Sequence, residues 1–280
     1  MLGVIIGDIA GSRFETIRAP LIKSTEFELF NGKCHVTDDS VMTSAVAEAL
    51  LTPAATDAEL ESSVIRRMQA WGRKYPKAWY GKKFREWLKE EEPRPYGSFG
   101  NGSAMRVAPV GWMYDSLERV EEVAAITSRV SHDHPEGIRA AQAVAGAVFL
   151  ARRHADKAAI RRYCEEKHCY DLSRTPDEIR PAYRFSSRAQ TSVPEALCCF
   201  LHSASFENAV RLAVSLGGDT DTQAAIAGAV AEAFYSAACG HDCIPPEMRE
   251  AAFRFMPEDM RMIAVRFRTG VQGYPAKTTG

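Results

Sequence analysis

Apolar residues recur three and four positions apart through most of this chain. The spacing predicts helices over residues 41–51, 58–71, 120–130, 138–151, 158–164, 194–201, 209–216 and 222–238. No stretch alternates apolar and polar residues between hairpin turns, so no sheet is expected. Residues 224–234 are dominated by alanine, with Gly228 inside. A helix that is small on several faces suits close packing at the centre of a bundle. Two segments break the pattern. Residues 91–102 carry Pro93, Pro95, Gly97, Gly100 and Gly102, and residues 171–193 are polar, with Pro176 and Pro181. Loops this long inside a domain usually carry function. There is no internal repeat, low-complexity tract or shift in composition, so the chain reads as one all-α domain over 1–280.

Composition narrows the classes of function. The 280 residues include 35 basic and 36 acidic side chains, a net charge of -1, which gives no basic excess to hold nucleic acid by its phosphates. No apolar run is long enough to span a bilayer. The apolar start, residues 1–8, lacks a basic leader and meets Asp8 early, unlike a signal peptide. A cytoplasmic protein without a membrane partner is expected. The seven cysteines are an odd number and point to free thiols. Cys239-Gly-His-Asp-Cys243, and Cys164 with His168 and Cys169, offer half-sites for zinc, but neither has paired C-x-x-C spacing, and both read as plain thiols.

The informative chemistry lies in two acidic clusters, each heading an apolar helix: Thr37-Asp38-Asp39-Ser40 and Gly217-Gly218-Asp219-Thr220-Asp221-Thr222. Helix capping explains one or two acids per helix. It does not explain two like-charged pairs, whose crowding costs energy unless a cation relieves it. Carboxylate and hydroxyl oxygens suit magnesium, manganese or calcium, whereas zinc and copper favour histidine or cysteine. If the two helix starts meet, they form a cage for a pair of ions of the kind that activates water, and the reaction is a hydrolysis. The Gly217-Gly218 pair lets the backbone turn tightly and approach a ligand.

In this order, the motifs resemble the ADP-ribosylglycohydrolase family, which includes dinitrogenase reductase-activating glycohydrolase. Four parts carry the resemblance: Gly3-Val-Ile-Ile-Gly-Asp-Ile-Ala-Gly-Ser-Arg-Phe-Glu15, Thr37-Asp-Asp39, Gly97-Ser-Phe-Gly-Asn-Gly-Ser-Ala-Met-Arg106 and Gly217-Gly-Asp-Thr-Asp-Thr222. The resemblance implies an all-α orthogonal bundle with a two-magnesium centre, manganese being a possible substitute. It implies cleavage of the bond between C1″ of ADP-ribose and a modified acceptor. By position it makes Thr37, Asp38, Asp39, Asp219, Asp221 and Thr222 the metal ligands. Glu15 falls on a mobile flap over the site. Gly97, Ser98, Phe99, Gly100 and Asn101 fall on the loop that wraps the diphosphate and distal ribose, and His132 on a substrate-contacting histidine.

The residues fit that chemistry independently. An oxocarbenium-like state is stabilised by nearby carboxylates, and Glu15 or a cage carboxylate among Asp38, Asp39, Asp219 and Asp221 can accept the water's proton. A helix starting near Ser103 is expected to add its positive end to the glycine-rich loop. Phe99 either stacks on adenine or anchors the loop, and His132 either touches substrate or caps a helix in solvent. Trp79 and Tyr80 are expected to pack in the core. The expected partner is an ADP-ribosylated protein or small molecule, or nucleic acid only through a modified base. ADP-ribose is the expected product, and the chain is expected to be a monomer. A catalytically silent ADP-ribose-binding homologue is the alternative, and a metal-dependent phosphatase a third reading.

Overall fold

A computed structural model describes residues 1–240 and 242–272. The helices are α1 (Leu2–Ser12), α2 (Asp38–Leu50), α3 (Asp57–Lys74), α4 (Lys82–Trp87), α5 (Gly102–Met105), α6 (Ala108–Met113), α7 (Leu117–Arg129) and α8 (Pro135–Arg152). They continue with α9 (Lys157–Arg162), prolonged by a π-helical turn Tyr163–Lys167, then α10 (Pro176–Ile179), α11 (Ala189–Leu201), α12 (Phe206–Ser215), α13 (Thr220–Cys239), α14 (Pro246–Phe255) and α15 (Glu258–Gln272). Among the described residues there is no strand, only one isolated bridge between Gly100 and Arg188. No helix is long and apolar enough to cross a membrane among the described residues.

The alanine-rich α13 runs through the centre, against α1, α8, α11 and α12. Its closest partner is α1. Gly3, Gly7 and Gly11 recur every four residues and face α13 without side chains. A Cβ at Gly3 would stand 2.3 Å from the Gly228 carbonyl oxygen, one at Gly7 2.1 Å from that of Ala224, and one at Gly11 2.4 Å from that of Thr220. The two backbones therefore touch directly, and the antiparallel pairing sets the end of α1 beside the start of α13. That contact brings residues near 11 and near 220 of the sequence to one site.

All eight helices expected from periodicity are present, most extended by a few residues. The pattern missed α1, which is buried on every face from Gly3 to Ser12 and so shows no polar stripe. It also omitted α14 and α15, although Met260, Ile263 and Phe267 are buried at helical spacing. The 171–193 segment is shorter as a loop than expected. Thr175 and Glu178 form a reciprocal capping box that starts α10, and α11 begins at Ala189 with Pro194 in its interior. The helix expected near Ser103 is only the four-residue α5, too short to present a useful dipole.

Candidate active site

The two acidic clusters meet. Thr37 Oγ1 lies 3.4 Å from Asp39 Oδ2, and Thr222 Oγ1 donates to the same oxygen at 3.2 Å, which ties the start of α2 to the start of α13. Glu15, Asp219 and Asp221 each bring a carboxylate oxygen within 4.8 Å of the others, the one such group among the described residues. Capping accounts for Thr37, whose side chain accepts from the Asp39 N–H. It does not account for Asp219, which stands at the head of α13 yet makes no cap bond. Its Oδ2 accepts instead from Asn101 Nδ2 at 2.7 Å.

Burial, and then the neighbouring acids, raise the pKa of Glu15 to about 7 and hold Asp38, Asp39 and Asp221 well above the carboxylate range. Burial raises Asp8 and Asp219 too, opposed by their hydrogen bonds. Asp39 Oδ1 is buried without a hydrogen-bond partner. Crowded carboxylates, an orphaned carboxylate oxygen and two threonine hydroxyls on one wall are the donor set of a hard divalent cation, and the expected ligands fit one.

Glycines shape the approach to this centre. Gly217 and Gly218 have φ of +75° and +88°. Their missing side chains admit protein rather than ligand: a Cβ would fall 2.8 Å from Ile22 O at Gly217 and 2.7 Å from Phe185 Cα at Gly218. The Thr16 N–H donates to Gly218 O at 3.1 Å and holds the Glu15 segment over the acids.

The 97–102 loop is braced from within. The Gly97 N–H donates to Asp133 Oδ1 at 2.7 Å, that of Gly100 to Ser98 Oγ at 3.3 Å, and that of Asn101 to Ser187 O at 2.9 Å. Those three donors are spent inside the protein and do not form an open phosphate nest. Asn101 likewise turns its side chain to Asp219 and Ser192, so it holds the Asp219 carboxylate rather than facing solvent. Phe99 is not a core anchor: it is 41% exposed, edge-on to His134, with the Arg188 guanidinium 5.6 Å from its ring centre. His132 is no solvated cap. It lies buried beneath Gly100 and Gly102, pairs Nδ1 with Ser131 Oγ at 2.9 Å, and is kept neutral by burial and by Arg106. Residues 184–188 lie against this centre, through the contacts of Phe185 and Ser187 just described.

Several neighbours of the centre had no role in the sequence reading. Asp8 of α1 is fully buried and bonds to Thr37 and Ser40. Its signal was an acid inside an apolar run. Arg106 is buried and donates to Thr127 O and Ser131 Oγ. Trp79 departs from expectation: it is 54% exposed with φ +65° and packs edge-on against His35, two residues before Thr37. Tyr80 is in the core as expected, with its hydroxyl unpartnered. The seven cysteines are unpaired. Cys164 is deep in the core and Cys169 at the surface, which separates that zinc half-site, while His241 of the other lies outside the described residues.

Known proteins bear on this centre. The ADP-ribosylglycohydrolase family model matches residues 1–274. ADP-ribosylhydrolase ARH3 of Mus musculus is 27% identical over 288 residues, covering 81% of this chain and 75% of that protein. ADP-ribosylarginine hydrolase Tri1 of Pseudomonas putida is 26% identical over 276 residues, covering 89% and 72%. A solved structure titled ADP-ribosylglycohydrolase-related protein complex superposes with a TM-score of 0.72 at 24% identity, covering 96% of this chain and 95% of that one, and supports the fold. The chain belongs to the ADP-ribosylglycohydrolase family, whose enzymes hydrolyse ADP-ribose linkages.

Proposed function

We propose that this chain, acting as one domain, is a magnesium-dependent hydrolase that removes ADP-ribose from a modified acceptor. Thr37, Asp38, Asp39, Asp219, Asp221 and Thr222 would hold two magnesium ions, or manganese in their place. The observation that carries this reading is the meeting of the two acidic clusters, Thr222 bonding to Asp39, beside the grouped carboxylates of Glu15, Asp219 and Asp221. Bound there, the ions would supply positive charge and Lewis acidity to polarise a water.

The chain's own groups supply the rest. The C1″–acceptor bond breaks, a water oxygen bonds to C1″, and the acceptor leaves with a proton. Glu15 takes the water's proton at a carboxylate oxygen and passes it to the departing acceptor. It is only half-buried and stands outside the proposed ligand set, which leaves its carboxylate to act on the water. Asn101 holds Asp219 in place through its amide. Exposed Phe99, steadied by His134 and Arg188, offers a face for a flat base, with His132 supporting the loop beneath it.

An arginine acceptor is the first to test, since the Pseudomonas putida relative is an ADP-ribosylarginine hydrolase. A panel of arginine- and serine-linked ADP-ribosyl peptides, assayed with magnesium and with chelator, reads out both linkage and metal dependence. Release of ADP-ribose from at least one linkage, only with magnesium, is expected. Tight ADP-ribose binding with no turnover on any linkage would instead favour the silent homologue.

A further inference from the structure

We propose that Asp8 is a positioning residue of the metal centre: its carboxylate accepts the Thr37 hydroxyl hydrogen and so leaves a lone pair of Thr37 Oγ1 facing the cation. The inference rests on the metal reading above and concerns a residue outside the proposed ligand set.

A threonine hydroxyl has one hydrogen and two lone pairs. Two carboxylates compete for the Thr37 hydrogen. Asp8 Oδ1 stands 2.8 Å from Thr37 Oγ1, the usual O–H···O distance, and Asp39 Oδ2 stands 3.4 Å away, beyond it. The hydrogen therefore points to Asp8. Were it turned toward Asp39, Thr37 would present a donor, not a ligand, to a bound cation.

Asp8 also sets the turn that carries the ligands. Its Oδ2 accepts the Thr37 N–H at 3.0 Å, the Ser40 N–H at 3.0 Å and the Ser40 hydroxyl. One carboxylate on α1 thus satisfies two N–H groups at the head of α2, a cap delivered from another helix. All its hydrogen-bond partners lie in the Thr37–Ser40 turn. Asp8 is itself fixed in space, because Gly7 beside it is in backbone contact with Ala224 of α13. α1 therefore relates the two ligand clusters to each other. Such outer partners fix ligand geometry, and losing one lowers metal affinity by roughly 10- to 100-fold.

Magnesium calorimetry on metal-free protein tests this with the parent, Asp8→Asn, Thr37→Val and the double variant, each checked for helix content by circular dichroism. Asp8→Asn should weaken binding roughly 10- to 100-fold with helix content unchanged. Because both act through one hydroxyl, the double variant should bind within about threefold of the weaker single variant. Binding by Asp8→Asn within about twofold of the parent, or single effects that multiply in the double variant, would overturn the assignment. If Asp8→Asn does not fold, Ser40→Ala decides. It removes a bond to the same carboxylate without touching Thr37, so it should bind magnesium much better than Thr37→Val, and equal losses would reduce Asp8 to a general cap. A parent that binds no divalent cation would sink the metal reading and this inference together. A parent that binds normally, with Asp8→Asn unaffected, would sink this inference alone.

Discussion

Gly7→Ala probes how the fold builds the site. The added Cβ would sit 2.1 Å from the Ala224 carbonyl oxygen, 2.3 Å from its carbon and 2.6 Å from the Ala225 nitrogen. Each of these is backbone, so no side chain can swing aside. Ordinary contact needs roughly 3.5 Å, so α1 and α13 must part by about 1 Å or more at this crossing. Overpacking of this kind costs about 1–3 kcal/mol. Better helix propensity returns at most about 1 kcal/mol. Overlap with backbone alone puts the cost at the upper end, so a net loss of about 2 kcal/mol should lower Tm by roughly 4–8 °C. The same displacement moves Asp8, and with it Thr37 and the Glu15 segment, relative to Asp219 and Asp221. Magnesium affinity should therefore fall as well. Gly32→Ala and Gly81→Ala, where an added Cβ meets nothing within 4 Å, are the controls and should change neither quantity. Scanning calorimetry and magnesium titration of the three variants are the assays. A Gly7→Ala protein as stable and as metal-competent as the controls would refute the argument that backbone contact between α1 and α13 sets the site.

Three further outcomes follow from the same geometry. The pKa values of Glu15, Asp38, Asp39 and Asp221 are raised in the folded state, so between the ordinary carboxylate range and about pH 7 the folded protein binds more protons than the unfolded chain. Stability of the metal-free protein should therefore fall as pH rises through that window, and saturating magnesium should flatten the slope; denaturant midpoints at several pH values, with chelator and with metal, would expose a flat or opposite trend. Glu15→Gln should lower kcat at least tenfold while changing ADP-ribose affinity less than about threefold, as steady-state kinetics and product titration would show. Asn101→Ala should weaken magnesium binding more than ADP-ribose binding, because its amide holds Asp219; the reverse order in paired titrations would return Asn101 to the substrate loop.

Much of this site was readable because its chemistry is local. Thr37-Asp38-Asp39 and Asp219-Thr220-Asp221-Thr222 carry more acid than capping uses, and the structure joins them. The helices that flank them declare themselves by periodicity. Buried groups were harder. α1 has no polar face, so neither the helix nor the role of Asp8 within it shows in a pattern of alternation. The function of Gly3, Gly7 and Gly11 appears only against α13, more than 200 residues away. The glycines at 217 and 218 were expected to admit ligand, yet they admit residues 22 and 185, a long-range contact that no local motif encodes. Asn101 looked like a phosphate-loop residue because of its neighbours in sequence, while its partners, Asp219 and Ser192, are distant. Trp79 owes its exposure to a left-handed backbone that composition does not announce.

The joined acidic clusters are proposed to run a metal-dependent hydrolysis. Release of ADP-ribose from an ADP-ribosylated peptide, followed as magnesium is returned to chelated enzyme, tests it most directly, with Asp221→Ala measured beside the parent at matched helix content. No turnover in chelator, saturable recovery for the parent, and none for Asp221→Ala at any magnesium concentration are expected. Full turnover in excess chelator, or an Asp221→Ala protein as active as the parent, would contradict it.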